Sequence, residues 1–325
     1  MASVSTPLAP LEAQPSPSFI KRLRAGDAVA HTITLIAASS IFLVTLLLVY
    51  YLWSESVLPR QKFGWNFIFT SVWDPVAGQF GALPFVFGTA VTAILALIIS
   101  VPIGLGAAIF LAELAPRRIS SYMTFLIELL AAVPSVIYGL LGITLLVPVL
   151  QSHVVPALKA TLGFLPIFSG PFYGVSIFSA SVVLAIMIVP FIVSVSREVL
   201  LAVPTEQREA SLALGSTRWE TTWKVVVPYA SRGIYGSIFL ALARALGETM
   251  AVTMVIGNTP RIQTSLLAPG YTIAAVIASE FTEATGDLYL QALIELGLVL
   301  FALTILINGI AQLLILATGP RLARS

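Results

Sequence analysis

The sequence contains no cysteine and only two histidines. The missing cysteine excludes disulfides, thiolate metal sites and cysteine nucleophiles. His31 and His153 are far apart in the sequence and do not form a ligand pair. We therefore expect no metal site on this chain.

Charge is also scarce. Charged residues make up 10% of the chain and hydrophobic residues 58%, whereas soluble domains carry roughly 25% charged residues. Too little polar material is present to cover a soluble globule of 325 residues. The net charge of +2 leaves no basic patch large enough to bind nucleic acid. The composition predicts an all-α polytopic membrane protein without a nucleic-acid partner.

A nucleotide-binding motif is absent as well. A Walker motif needs Gly-Lys before Ser or Thr, so that backbone amides and a lysine hold the phosphates. None of the four lysines follows a glycine. No catalytic constellation is visible either, so we expect neither enzyme activity nor a cofactor bound by this chain.

Six apolar blocks are present, each at least as long as the roughly 20 residues that cross a bilayer. We predict spans at 29–53, 83–111, 122–150, 177–200, 233–256 and 290–318. The first block is too long for a signal peptide and lacks a small-residue cleavage site, so we expect it to be retained. Residues 1–28 are then an N-terminal tail, 54–82 an outer segment, and 83–320 a five-helix transmembrane domain.

Lys and Arg are divided unevenly among the alternate connections. One side holds twelve of them: Lys21, Arg22, Arg24, Arg117, Arg118, Arg197, Arg208, Arg218, Lys224, Arg232, Arg321 and Arg324. The other side holds four: Arg60, Lys62, Lys159 and Arg261. Since cytoplasmic loops carry the excess of positive charge, both termini and the 201–232 loop are predicted to be cytoplasmic.

This loop contains the stretch PTEQREASLALGSTRWETTWKVVVP, residues 204–228. It predicts two short helices hinged at Gly215, the first capped by Thr205 and ended by the glycine in a left-handed conformation. Thr217 and Glu220 have the spacing of a capping box for the second helix. A rigid element of this kind suits docking, while an amphipathic loop lying on lipid headgroups is the alternative.

The loop resembles the E-A-A-x₃-G-x₉-I-x-L-P motif of ABC-type import permeases. The matching residues are Glu209, Ala210, Gly215 and Pro228, with Ser211, Val225 and Val227 as mild departures. In that family the loop inserts into a groove of a separate ATPase subunit. The resemblance therefore implies an ATPase-coupling role for these residues and a MetI-like permease core.

Other stretches resemble the C-type permeases of the phosphate-specific transport (Pst) system. These are WDPVAGQFGALPFVFGT (73–89), IFLAELAPRR (109–118), ELLAAVPSVIYGL (128–140), LARALGETMAVTMVIGN (242–258) and TIAAVIASEFTEA (272–284). The resemblance implies an importer in the bacterial cell membrane. Its other parts are a PstA-type permease, an ATPase dimer that binds ATP with Mg, an extracytoplasmic phosphate-binding protein and membrane lipid.

Two opposite charges, Arg244 and Glu248, stand four residues apart inside the fifth predicted span. On one helix such residues share a face and can pair, offsetting part of the cost of burying charge in a membrane. A structural ion pair that holds helices together is one interpretation. In the other, Arg244 is a way-station for an anion and Glu248 holds it when the path is empty, or gates the path. The Pst resemblance implies that both are important for transport.

Two alternatives to phosphate import stay open. The first is a permease for another oxyanion, such as molybdate or sulfate. The second is an ion-coupled secondary transporter, in which Arg244 and Glu248 would relay protons. The docking loop argues against the second, because a secondary transporter needs no ATPase contact.

Overall fold

The computed structural model describes residues 27–318, and the side chains of residues 29–313. Within this range the chain is mainly helical and has no β-strand beyond an isolated bridge between Asp74 and Gln79. The predicted tail lies almost entirely outside the described residues. So do the basic residues at the two chain ends, namely Lys21, Arg22, Arg24, Arg321 and Arg324.

The helices are numbered here in chain order. They are α1 (Asp27–Ser54), α2 (Val57–Phe63), α3 (Asn66–Phe69), α4 (Leu83–Leu114), α5 (Arg117–Ala131), α6 (Ser135–Leu162), α7 (Ile177–Leu201), α8 (Thr205–Ala213), α9 (Arg218–Gly247), α10 (Met250–Ile256), α11 (Ile273–Glu280) and α12 (Asp287–Thr318). Three of these helices contain short π-helical stretches, which widen the helix without breaking it. These are Phe110–Leu114 at the end of α4, Gly142–Leu146 and Leu150–Val154 in α6, and Thr222–Val226 in α9.

Six helices of the described range are long and apolar enough to cross a membrane: α1, α4, α6, α7, α9 and α12. The predicted all-α class and the number of spans are therefore confirmed. The first, second, fourth and sixth spans also begin and end close to the predicted residues.

The third span differs from the prediction of 122–150. Residues 117–131 form the separate amphipathic helix α5, the helix is interrupted at 132–134, and α6 runs from Ser135 to Leu162. Pro134 explains the interruption, because proline has no backbone N–H and forces the residue before it out of the helical region. The prediction from hydropathy merged parts of two helices that the proline separates.

The fifth span also differs from the prediction of 233–256. The helix α9 starts at Arg218, inside the loop, and continues without a break to Gly247. A short non-helical segment, 248–249, then separates it from α10. The second short helix predicted for the loop is thus the beginning of a membrane-spanning helix.

Two compact units divide the chain between Tyr51 and Leu52. In the first unit, described from residue 27, the α1 side chains are almost all exposed. In the second unit, α7 is the most buried of the spanning helices. It packs against α4 and α9, and its Ser196 hydroxyl lies 2.7 Å from that of Ser237 on α9.

Candidate functional site

The helix α8 ends in a complete Schellman motif at Gly215. The amide of Gly215 donates to the carbonyl of Leu212 at 3.0 Å, and the amide of Ser216 donates to that of Ser211 at 3.3 Å. Gly215 has a φ of +88°, as the motif requires of its left-handed residue. The predicted glycine hinge is confirmed. The predicted Thr205 cap is wrong, since Thr205 is the first helical residue and Pro204 precedes it without a side-chain cap.

The predicted capping box starts α9. The Thr217 hydroxyl accepts from the Glu220 amide at 3.2 Å, and the Glu220 carboxylate accepts from the Thr217 amide at 3.0 Å. These two reciprocal bonds fix the turn between α8 and α9, and α9 is long and apolar enough to span a membrane. The turn is therefore continuous with a helix of membrane-spanning length.

The π-helical stretch in α9 lies immediately before Pro228. The amide of Val227 donates to Thr222, five residues back, instead of to the fourth. Proline cannot donate and its ring clashes with the carbonyl four residues earlier. The wider turn accommodates that clash, so Pro228 occupies the second position of a regular helical segment.

Large apolar side chains are exposed where the end of α8 meets the start of α9; we call this surface, with Glu209 and Ala210 of α8, the coupling surface. Leu214 is 88% exposed and Trp219 57% exposed. The Trp219 and Trp223 rings meet edge to face, with centroids 5.5 Å apart. Glu209 and Ala210 are exposed beside them. Rigid aromatic side chains in an exposed apolar patch are typical of protein–protein contacts.

An ion pair that the sequence did not reveal holds α8 in place. Arg208 donates to both carboxylate oxygens of Glu113 at the end of α4, at 2.8 and 3.2 Å. It also donates to the backbone carbonyls of Leu200 and Val203. The two charged side chains are only 19% and 10% exposed. The residues are 95 positions apart, so no local spacing could have predicted the contact.

The structure contradicts the predicted pairing of Arg244 with Glu248. The helix α9 ends at Gly247, and Glu248 has an extended ψ of 126°. The i, i+4 geometry therefore does not apply, and no ion pair joins the two residues. Instead, the Glu248 carboxylate accepts a hydrogen bond from the Ala251 amide at 3.3 Å, in the first turn of α10.

Arg244 is left exposed in a helix of membrane-spanning length. Its guanidinium has no hydrogen bond or ion pair to any residue in 27–318, although it lies within electrostatic range of Tyr138 on α6. The helix α6 packs closely on α10, since a Cβ at Gly139 would lie 3.0 Å from the Cα of Ala251. The uncovered guanidinium thus stands near the interruptions that precede α6 and α10.

The other acidic residues near the membrane have different environments. Glu128 is exposed, whereas Glu295 is only 6% exposed. Glu280 accepts hydrogen bonds from the Trp73 indole at 2.9 Å and the Tyr289 hydroxyl at 2.6 Å. Glu280 therefore connects Trp73 to the helices α11 and α12.

The family model "Binding-protein-dependent transport system inner membrane component" matches residues 100–323. Among curated relatives, the "Phosphate transport system permease protein PstC" of Mesorhizobium japonicum is 44% identical over 306 residues, covering 93% of this chain and 94% of that protein. The protein of the same name from Pasteurella multocida is 49% identical over 260 residues, covering 79% and 81%.

Two solved structures share the fold. A chain of a bacterial alginate ABC transporter, in complex with a pentasaccharide-bound periplasmic protein, has a TM-score of 0.57 at 15% identity, covering 92% of this chain and 99% of that one. A chain of the MetNI methionine ABC transporter has a TM-score of 0.53 at 18% identity, covering 76% and 99%. The MetI-like permease fold is confirmed. The chain belongs to the family of binding-protein-dependent transport system inner membrane components.

Proposed function

We propose that this chain is the C-type permease subunit of an ATP-driven importer that moves inorganic phosphate into the cell. The observation that carries the proposal is the 44% identity, over 93% of this chain, to a protein named as a PstC permease. The chain is a transport subunit without a nucleotide-binding motif of its own. Import of molybdate or sulfate by the same architecture is the alternative.

The exposed charge of Arg244 supports a second permease subunit. Charged side chains in membrane-spanning helices almost always face a bundle interior or a water-filled cavity. Since Arg244 is not covered by the described residues of its own chain, the interior it faces lies between this subunit and a PstA-type partner. The translocation path runs along that boundary.

Arg244 has the chemistry of an anion way-station. Guanidinium presents a planar fork that fits two phosphate oxygens, and it keeps its charge at every physiological pH. No carboxylate of the described residues neutralises it, so the full positive charge is available to an anion. Glu248 has a separate role: it accepts a bond from the start of α10 and shapes the chain where α9 ends.

The coupling surface docks the ATPase dimer, which binds and hydrolyses ATP with Mg. Its exposed tryptophans and Leu214 supply apolar area for a groove in the partner. The Arg208–Glu113 pair passes the ATPase movement to α4, and the continuous helix α9 passes it toward Arg244. Two spanning helices therefore respond to one docking event.

The topology follows from the distribution of positive charge. The coupling surface and the neighbouring basic residues Arg208, Arg218 and Lys224 lie on the cytoplasmic side together with both termini. The segments 54–82 and 257–289 lie outside, where an extracytoplasmic phosphate-binding protein delivers the anion. The protein resides in the bacterial cell membrane.

Uptake by proteoliposomes of the assembled transporter tests the proposal. We expect radiolabelled phosphate to accumulate when ATP is supplied on the side of the coupling surface, in the presence of the binding protein. A proton gradient without ATP should not drive uptake. Accumulation of molybdate or sulfate instead of phosphate would favour the other-oxyanion alternative, and gradient-driven uptake without ATP would overturn the importer assignment.

A further inference from the structure

A cavity of 570 Å³ lies away from both the coupling surface and Arg244. It opens between the end of α1, the helix α2 and the outer half of α12, within residues 53–306. Arg60 and Glu295 lie within electrostatic range of each other and define its polar end. Trp53, Gly64, Trp65, Ile68, Val86 and apolar side chains of α12 complete the lining. None of the transport steps proposed above uses this cavity.

Glu295 makes the polar end of the cavity chemically incomplete. The residue is 6% exposed, and its Oε2 atom is buried without a hydrogen-bond partner among the described residues. No cationic group lies within ion-pair distance of its carboxylate there. The Glu295 side chain lines the cavity, and a buried carboxylate calls for a hydrogen-bond donor, of which a charged donor suits it best.

Arg60 lies at the same end, held in place but not saturated. Its guanidinium sits 3.7 Å from the centre of the Trp53 ring, and its Nε donates to the Ser56 carbonyl at 3.0 Å. The Nη2 group donates to the Trp53 carbonyl. The Nη1 group has no hydrogen-bond partner in the described part of the chain, so it is available to an anionic oxygen that enters the cavity.

The apolar part of the cavity has the length of one lipid chain. It follows a single stripe of α12 at helical spacing: Leu298, Val299, Ala302, Leu303 and Leu306. From Glu295 to Leu306 the stripe extends about 16 Å at 1.5 Å per residue. Half of a bilayer's hydrocarbon core is about 15 Å thick. Trp53 and Trp65, 56% and 81% exposed, lie at the polar end, where interfacial aromatics are expected.

We propose that this cavity binds a phospholipid that carries a primary ammonium headgroup, of the phosphatidylethanolamine type. The lipid phosphate binds Arg60, the ammonium donates to the Glu295 carboxylate, and one acyl chain lies along the α12 stripe. A zwitterion of this kind supplies an anion for Arg60 and a cation for Glu295. Phosphatidylcholine has no N–H donor, and phosphatidylglycerol has no cation.

The test is native mass spectrometry of the delipidated full-length chain, alone and in its co-purified assembly, titrated with the three lipids carrying identical acyl chains. We expect phosphatidylethanolamine to bind at least about tenfold more tightly than the other two, equivalent to about 1.4 kcal/mol. Glu295→Gln should abolish that preference. Arg60→Gln should weaken the binding of all three lipids. The control Glu283→Gln removes an exposed carboxylate outside the cavity and should change nothing.

A second variant tests the cavity independently, in case Glu295→Gln misfolds. Ala302→Trp fills the exposed middle of the stripe and should reduce binding of every lipid. Equal binding of the three lipids to the wild-type chain, or retention of the preference in Glu295→Gln, would overturn the proposal. Binding to the isolated chain that disappears in the assembly would mean that a protein partner covers the groove, and would overturn it equally.

Discussion

The Arg208–Glu113 pair is the contact whose removal should most clearly separate docking from transport. Removing one partner of a buried pair costs about 3–5 kcal/mol, because the remaining charge loses its compensation. Both groups here keep some solvent contact, at 19% and 10% exposure. We therefore expect Arg208→Gln to destabilise the seated position of α8 by about 2–3 kcal/mol. That is roughly a 30- to 150-fold shift in its equilibrium.

Arg208→Gln replaces none of the exposed side chains of the coupling surface, so the ATPase should still bind. Transport per ATP hydrolysed should fall, because α8 no longer moves α4. The double variant Arg208→Gln with Glu113→Gln removes the uncompensated carboxylate and should recover part of the lost stability, since residues in contact are not additive. Arg218→Gln is the matched control: an exposed arginine of the same loop without an ion pair.

The measurement is the ratio of phosphate uptake to ATP hydrolysis in proteoliposomes, with thermal unfolding of the purified assembly as the stability readout. Normal coupling in Arg208→Gln, together with equal stability of the single and double variants, would refute the reasoning. A loss of the same size in Arg218→Gln would point to the total charge of the loop.

Two further predictions concern the same loop. Gly215→Pro should uncouple ATP hydrolysis from transport without preventing insertion, because proline cannot adopt a φ of +88°. A Cβ at Gly215 would meet no atom within 4 Å, so Gly215→Ala should cost only the left-handed backbone penalty of about 1–2 kcal/mol; Glu209→Lys should uncouple as Gly215→Pro does. Wild-type coupling in Gly215→Pro would show that the hinge does not matter. Secondly, the chain has no cysteine, so a cysteine at Leu214 should be labelled only from the cytoplasm, and one at Thr264 only from outside. The reverse pattern would overturn the topology.

The sequence predicted most of the loop because its signals are local. A glycine that must be left-handed and a Thr–Glu capping box act within a few residues of themselves. The number of spans was also predictable, since hydropathy depends on composition alone. The residue at which a spanning helix starts was not predictable from hydropathy. The helix α9 begins in a polar stretch at Arg218, and its capping box sets that start.

Predictions from the sequence were wrong or missing where a feature depended on an interruption of a helix or on a contact between residues distant in the sequence. The prediction for Arg244 and Glu248 assumed a continuous helix, but the helix ends at Gly247 between them. Nothing in the residues around Glu295 marks it as buried; only the packing around α12 makes it so. Arg208 and Glu113 meet only because α8 folds back on the end of α4.

Phosphate uptake by Arg244 and Glu248 variants tests the central claim most directly. Loss of a charge-assisted contact between desolvated groups costs about 2–5 kcal/mol, so Arg244→Gln should lower occupancy of the site by roughly 30-fold or more. Glu248→Gln keeps an acceptor oxygen for the Ala251 amide and should still transport. If Arg244 receives the anion, the double variant should be as inactive as Arg244→Gln alone, while the assembly forms in normal yield. Robust phosphate uptake by Arg244→Gln, or its recovery in the double variant, would contradict the way-station and leave Arg244 with a structural role.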